Sequence, residues 1–176
     1  MTDRNEQSSG ADNLVADDRI DDQERLDNQE RLDNQERLAR RAALTRAIVD
    51  ETGITEEMIA RLVARFYQRV RADSLLGPIF EARISDWDAH LAKLCDFWSS
   101  VALITGRYHG RPMPVHLRLP IEDAHFDRWL DLFAQTVNEL CPPAAAAHFI
   151  DRARRIANSM EFGLASLRGE IKSPRH

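Results

Sequence analysis

Apolar residues recur at helical spacing along most of this chain. From Arg40, the residues Ala42, Ala43, Leu44, Ile48 and Val49 predict a short leading helix that stops at Gly53. Thr55 then caps a longer helix with Glu56 and Glu57 in its first turn, where they complement the helix dipole, and Ile54 and Ile59 are placed for a hydrophobic staple. The apolar face of that helix is Ile59, Leu62, Val63, Phe66 and Val70. Leu76-Gly77-Pro78-Ile79-Phe80 breaks the pattern and delivers an aromatic side chain to the core. Ser85 or Asp86 starts a helix over residues 87–105, with Trp87, His90, Leu94, Phe97 and Val101 on one stripe at coiled-coil-like spacing. His90 therefore points inward. A proline-bounded segment follows, and then a helix with Phe126, Trp129, Leu130, Phe133, Val137 and Leu140 on one face, ended by Pro142-Pro143. A last helix carries Phe149, Ala153, Ile156, Ala157 and Met160. No stretch alternates with period two for long enough to argue a strand, so the expected class is all-α.

The first 38 residues follow another rule. Residues 21–38 repeat a hexad three times, ending at Leu26, Leu32 and Leu38. Six residues turn a helix through roughly 240°, so these leucines scatter around it and make no coiled-coil seam. The expected organisation is a disordered or solvated acidic arm over 1–38, one globular domain over 39–170 and a flexible tail at 171–176.

Charge and composition narrow the function. The 176 residues carry a net charge of −5. Residues 1–38 hold 12 acids and 5 Arg, a net of −7, which leaves +2 for the remainder. A mildly cationic body without a basic stripe is a poor nucleic-acid binder, and suits one small anionic cofactor better. The start, Met1-Thr2-Asp3-Arg4-Asn5-Glu6, has no cationic region leading into an apolar one, and no run approaches the roughly 18 apolar residues of a membrane span. A cytoplasmic protein with no membrane partner is expected. Cys95 and Cys141 lie far apart on apolar faces, which supports core positions over a disulfide framework or a zinc site.

The candidate chemistry lies with the histidines. His116 sits between Pro114 and Pro120, where proline restricts φ and removes backbone donors. A rigid, non-repeating element of this kind suits the holding of a ligand, and His116 is the expected iron ligand. His90, from a different element and facing an apolar interior, completes a pair able to flank a flat metal-bearing cofactor. Taken singly, a buried histidine is most often a hydrogen-bonded core residue. His125 reads as an exposed first-turn residue. Glu122-Asp123-Ala124-His125 is a single Glu-x-x-His, whereas a helical di-iron site needs a pair. There is no His-Glu-x-x-His, no Gly-x-Ser-x-Gly and no phosphate-cradling glycine loop. Tyr67, His90 and Trp129 are the polar groups an all-α core would have to bury. Each is satisfied by a backbone carbonyl, or together they cap a cavity for a small ligand carrying partial negative charge.

Over about residues 55–166 the chain resembles the group III truncated haemoglobins. The resemblance is carried by Phe66-Tyr67-Gln68-Arg69-Val70-Arg71-Ala72-Asp73, Leu76-Gly77-Pro78-Ile79-Phe80, Trp87-Asp88-Ala89-His90-Leu91-Ala92-Lys93 with Phe97-Trp98, Tyr108-His109-Gly110-Arg111-Pro112, His116-Leu117-Arg118-Leu119-Pro120, and His125-Phe126-Asp127-Arg128-Trp129-Leu130-Asp131-Leu132-Phe133, in order and spacing together. It implies a truncated globin fold, a helix-on-helix sandwich around haem b. His116 matches the proximal iron ligand, and Tyr67, His90 and Trp129 the distal polar positions. Phe80 matches the aromatic on the haem and Leu94 an aliphatic facing the ligand, with Lys93 and Phe97 among the haem-binding positions. The implied ligands are O₂, NO, CO or peroxide. NO dioxygenase or peroxidase-like activity with a reductase partner is the enzymatic extension, and the acidic arm lies outside the resemblance. The other reading is a haem-based sensor, or a cofactor-free helical interaction module acting through the arm.

Overall fold

The computed structural model describes the backbone of residues 9–117 and 119–169. The tail expected at 171–176 lies outside them. Among the described residues seven helices follow in order: α1 Ser9–Thr52, α2 Glu56–Ala72, α3 Gly77–Glu81, α4 Trp87–Leu103, α5 Pro112–His116, α6 Asp123–Leu140 and α7 Pro143–Arg168. No strand occurs among the described residues. None of these helices is long and apolar enough to cross a membrane.

The chain divides into two units, Met1–Ala43 and Leu44–His176. The separate leading helix expected from Arg40 is instead the end of a helix that begins at Ser9. No glycine or proline interrupts residues 11–52, which are rich in Glu, Arg, Leu, Gln and Ala, all good helix formers. Gln29 donates to Asp33 one turn on at 2.8 Å, the kind of local pair that supports an exposed helix. Side chains of residues 28–40 are exposed, including Leu32 and Leu38 at 48% and 47%.

In the second unit, Gly53 at φ +68° ends α1 by taking the left-handed conformation that terminates helices. The Thr55 hydroxyl accepts the Met58 N–H at 3.1 Å and caps α2. Ile54 and Ile59 on either side of the cap are fully buried, as are Leu62, Val63, Phe66 and Val70 of the expected face. Helix α2 packs on α3, α4 and α6, while α7 packs on α4, α5 and α6. Trp98 stacks on Phe133 at 4.6 Å between ring centres and meets Phe149 edge-on, which joins α4, α6 and α7 in one core. Arg69 pairs with Glu139 and donates to the buried Thr136 hydroxyl at 2.9 Å, tying α2 to α6.

Three further elements differ from expectation. The break at residues 76–80 is itself a short helix, α3, with Pro78 in its first turn. The Asp73 carboxylate receives the N–H groups of Leu75 and Leu76, both at 3.0 Å, and Arg128 Nε at 2.7 Å, so a carboxylate anchored from α6 holds the entry to α3. Gly77 is required there, because a Cβ would lie 2.7 Å from the Arg71 carbonyl oxygen, which is backbone and cannot yield. Gly77→Ala is expected to destabilise the protein by about 1–3 kcal/mol, read as a thermal midpoint lower by several degrees; an unchanged midpoint would refute this.

Helix α4 stops two residues short of the expected 105 because Ile104 adopts φ 60°, a left-handed conformation that is costly for a β-branched residue. A polar network over-determines the turn. The buried Ser99 hydroxyl donates to Glu56 at 2.7 Å and meets the Thr105 hydroxyl at 2.8 Å, Arg107 bridges Glu56 and Asp96, and Ser100 accepts the Tyr108 N–H. The α4 stripe also changes meaning. Trp87, His90, Leu94, Phe97 and Val101 are only half-buried, and the fully enclosed residues are Trp98, Ser99, Ala102 and Leu103.

The proline-bounded segment, expected to be non-repeating, contains the five-residue helix α5 with Pro112 in its first turn, where a missing N–H costs nothing. Met113 and Leu117 pack into a second apolar cluster of Ile121, Phe126, Ala157, Met160 and Leu164. Gly163 admits this approach, since a Cβ there would lie 2.8 Å from the Met113 sulfur. Cys95 and Cys141 are free thiols, half-buried against the main core.

Candidate functional site

His116 ends α5, and its Nδ1 lies 2.8 Å from the Pro112 carbonyl oxygen, one turn back. A carbonyl only accepts, so Nδ1 carries the proton and Nε2 keeps its lone pair. This is the arrangement of a metal-ligating imidazole, in which the second ring nitrogen is tied to a backbone oxygen that sets tautomer and ring orientation. The packing of Met113 and Leu117 on α7 holds the element that presents it.

The second group of residues comes from α2, α3, α4 and α6. Tyr67 is 5% exposed. Its ring meets Phe80 at 5.8 Å, His90 at 5.9 Å and Trp87 at 6.4 Å. Burial pushes the Tyr67 hydroxyl well above the ordinary phenol range, against the opposing effect of a hydrogen bond from Trp129. Tyr67 therefore stays an O–H donor at any ordinary pH. The Trp129 indole lies close enough to the Tyr67 hydroxyl to favour its ionised form against burial, and an indole N–H can only donate. Trp129 is fixed by a near-parallel stack on Phe133 at 5.3 Å, and Phe66 meets both rings edge-on.

His90 is half-buried, and its Nε2 is enclosed with no hydrogen-bond partner. Burial first, then the Lys93 ammonium and the His116 imidazole, hold His90 below its usual basicity. Leu94 and Phe97 are half-buried at the edge of the main core, Phe97 against Trp98 and Tyr108, and Lys93 is exposed. The structure therefore brings Tyr67, Phe80, His90 and Trp129 together, with Lys93 and Leu94 on the same helix as His90.

Sequence reasoning treated Trp87 only as an apolar member of the stripe. Its Nε1 is the second enclosed, unpartnered side-chain atom among the described residues, and the tryptophan beside the histidine in an apolar stripe was the available signal. His125 is half-buried, and its Nδ1 accepts the Glu122 N–H at 3.0 Å. The lone Glu-x-x-His is thus a helix cap, which agrees with setting aside a di-iron reading. His148 ties α7 to α4 through the Ala102 carbonyl at 2.9 Å.

The residues fit a flat, largely apolar cofactor with one metal. A single imidazole is prepared for ligation, aromatic and aliphatic side chains of α3, α4 and α6 are incompletely covered, and enclosed polar nitrogens await a partner. Comparison with known proteins agrees. Residues 47–162 match the family described as bacterial-like globin. A group 3 truncated hemoglobin of Campylobacter jejuni is 36% identical over 113 residues, 61% of this chain and 89% of that protein. A group 2 truncated hemoglobin of Bacillus subtilis is 28% identical over 89 residues, 49% of this chain and 67% of that protein. The crystal structure of a group III truncated hemoglobin from Campylobacter jejuni superposes with a TM-score of 0.60 at 36% identity, covering 63% of this chain and 91% of that one. With most of its second unit matched in sequence and in fold, the chain belongs to the bacterial-like globins, in their group III truncated haemoglobin branch.

Proposed function

We propose that this haem-binding globin holds haem b through His116 Nε2 and retains O₂ tightly at a pocket built by Tyr67, His90 and Trp129. The observation that carries the reading is His116 itself, whose Nδ1–H is committed to the Pro112 carbonyl so that Nε2 is left as a ligand. Phe80, Leu94 and Phe97 supply apolar contact to the cofactor, and the exposed Lys93 ammonium answers its carboxylates. When bound, haem would supply an iron able to take up one small ligand. The chain's own part is then to choose and hold that ligand. Tyr67 donates its O–H, with Trp129 behind it fixing the oxygen, and the aromatic ring of Phe66, Phe80 and Trp87 around Tyr67 keeps out water that would compete. Strong retention suits the use of O₂ with NO, or the handling of peroxide, more than O₂ delivery. Both uses call for an electron-donating reductase.

Absorption spectra of the purified ferrous protein with and without CO test the reading. A Soret band that sharpens and shifts on CO addition is expected; a protein that takes up no haem on reconstitution would overturn it.

The acidic arm is not part of this site in the same reading. Its leucines share no face, and side chains of residues 28–40 are exposed. Deleting residues 1–38 is expected to leave haem uptake and the thermal midpoint unchanged. Precipitation of the shortened protein, or markedly weaker haem binding, would give the arm a part in the globin instead.

A further inference from the structure

Trp87 and His90 hold the two buried side-chain polar atoms that have no hydrogen-bond partner among the described residues, Trp87 Nε1 and His90 Nε2. Enclosed polar groups are nearly always paired in folded proteins, so two orphans one helical turn apart call for a common explanation. Their rings stand perpendicular at 5.9 Å, and each also meets the Tyr67 ring. The three side chains thus surround one small region. Trp129, the other tryptophan of the cluster, has its indole beside the Tyr67 hydroxyl and is not among the unpartnered groups. The indole of Trp87 has no such outlet, and as a donor without acceptor capacity it can be satisfied only by an incoming acceptor.

Its position is not accidental. The Arg71 guanidinium lies 4.5 Å above the Trp87 ring, and Arg71 Nε is fixed by Glu81 at 2.8 Å. A cation stacked on the outer face of an indole holds the ring in place, and it also makes the N–H a stronger donor. Asp86 caps α4 one residue earlier, so the backbone that carries Trp87 is fixed too.

We propose that Trp87 is a ligand-binding residue, with its Nε1–H donating to a small ligand held beside Tyr67 and His90 and selecting ligands with an accepting outer atom, such as O₂ or peroxide, over CO. Arg71 is its positioning residue. The proposal rests on the haem-pocket reading above and adds a donor that the reading does not use.

Trp87→Phe keeps an aromatic face under Arg71 and removes the N–H. In the CO complex of the full-length holoprotein, a donor near the outer oxygen draws density into the C–O antibonding orbital and lowers the stretching frequency. The infrared C–O band is therefore expected to rise in Trp87→Phe. O₂ release should quicken about 5- to 10-fold, the loss of one ordinary hydrogen bond, with CO release changed less than about twofold. The thermal midpoint of the ferrous, ligand-free holoprotein should stay level or rise, because an unsatisfied donor has been removed. A packing residue would behave in the opposite way: a lower midpoint with the C–O band and O₂ release unmoved overturns the proposal. If Trp87→Phe does not fold, Arg71→Gln serves as the second variant. Freeing the indole should broaden or split the C–O band, and a single unshifted band overturns the proposal. Wild-type protein that binds haem and CO while these variants leave the band unmoved sinks the Trp87 assignment alone, whereas wild-type protein that takes up no haem sinks the pocket reading and this inference together.

Discussion

Tyr67→Phe is expected to release O₂ roughly 10- to 100-fold faster than the wild type, because it keeps the ring among Phe66, Phe80, Trp87 and His90 and removes only the hydroxyl donor. A hydrogen bond to a ligand carrying negative charge contributes about 1.5–3 kcal/mol, which sets that range. CO is a weaker acceptor, and its release should change much less. The Trp129 indole beside that hydroxyl refines the expectation. Trp129 acts through the Tyr67 oxygen, polarising and orienting it. Trp129→Phe should therefore quicken O₂ release by less than Tyr67→Phe, and the double variant should add little to Tyr67→Phe. Stopped-flow dissociation of both gases from the three variants decides this. Equal effects on O₂ and CO, or none on O₂, would make Tyr67 a core residue and no more.

His116→Ala should lose haem or hold it far more weakly, since it removes the one imidazole among the described residues whose Nδ1 is already committed to a backbone carbonyl. The remaining apolar contacts do not distinguish haem from any flat hydrophobe. His90→Leu is the contrasting variant. His90 Nε2 has no partner to lose, so haem should be retained and only ligand kinetics altered. Transfer of haem to an acceptor globin, followed by absorbance, separates the two. A His116→Ala protein with wild-type retention, beside a His90→Leu protein that sheds its haem, would reverse the assignment of the two sides.

Much of this was legible in the chain before any coordinates. The Thr55 cap, the Ile54 and Ile59 staple, the α2 face and the Pro142-Pro143 boundary that ends α6 follow from spacing of three and four residues and from Gly and Pro at the boundaries, interactions that are local and therefore readable locally. The prominence of His116 also came from its flanking prolines. Other features were not legible because they are decided by partners distant in sequence. Residue 104 carries nothing that announces a left-handed isoleucine; the turn exists because Ser99, Glu56, Asp96 and Arg107 converge on it from two helices and a loop. The pairing of Trp129 with Tyr67 joins residues 62 positions apart.

The α4 stripe shows the division most clearly. Periodicity determined that Trp87, His90, Leu94, Phe97 and Val101 share one face, and that face is real. Periodicity measures hydrophobicity against rotation angle, so it cannot distinguish a face that other helices cover from one kept for a cofactor. Tertiary structure alone made that choice, by placing Trp98 against Phe133 and Phe149 and leaving the other stripe half-covered, with two enclosed nitrogens unpaired. The sequence by itself determined the longer helices α2, α4, α6 and α7 and which of their residues lie on a common side; only packing between those helices decided which side is enclosed and which stays half-covered, because burial belongs to pairs of elements and a single helix does not contain it.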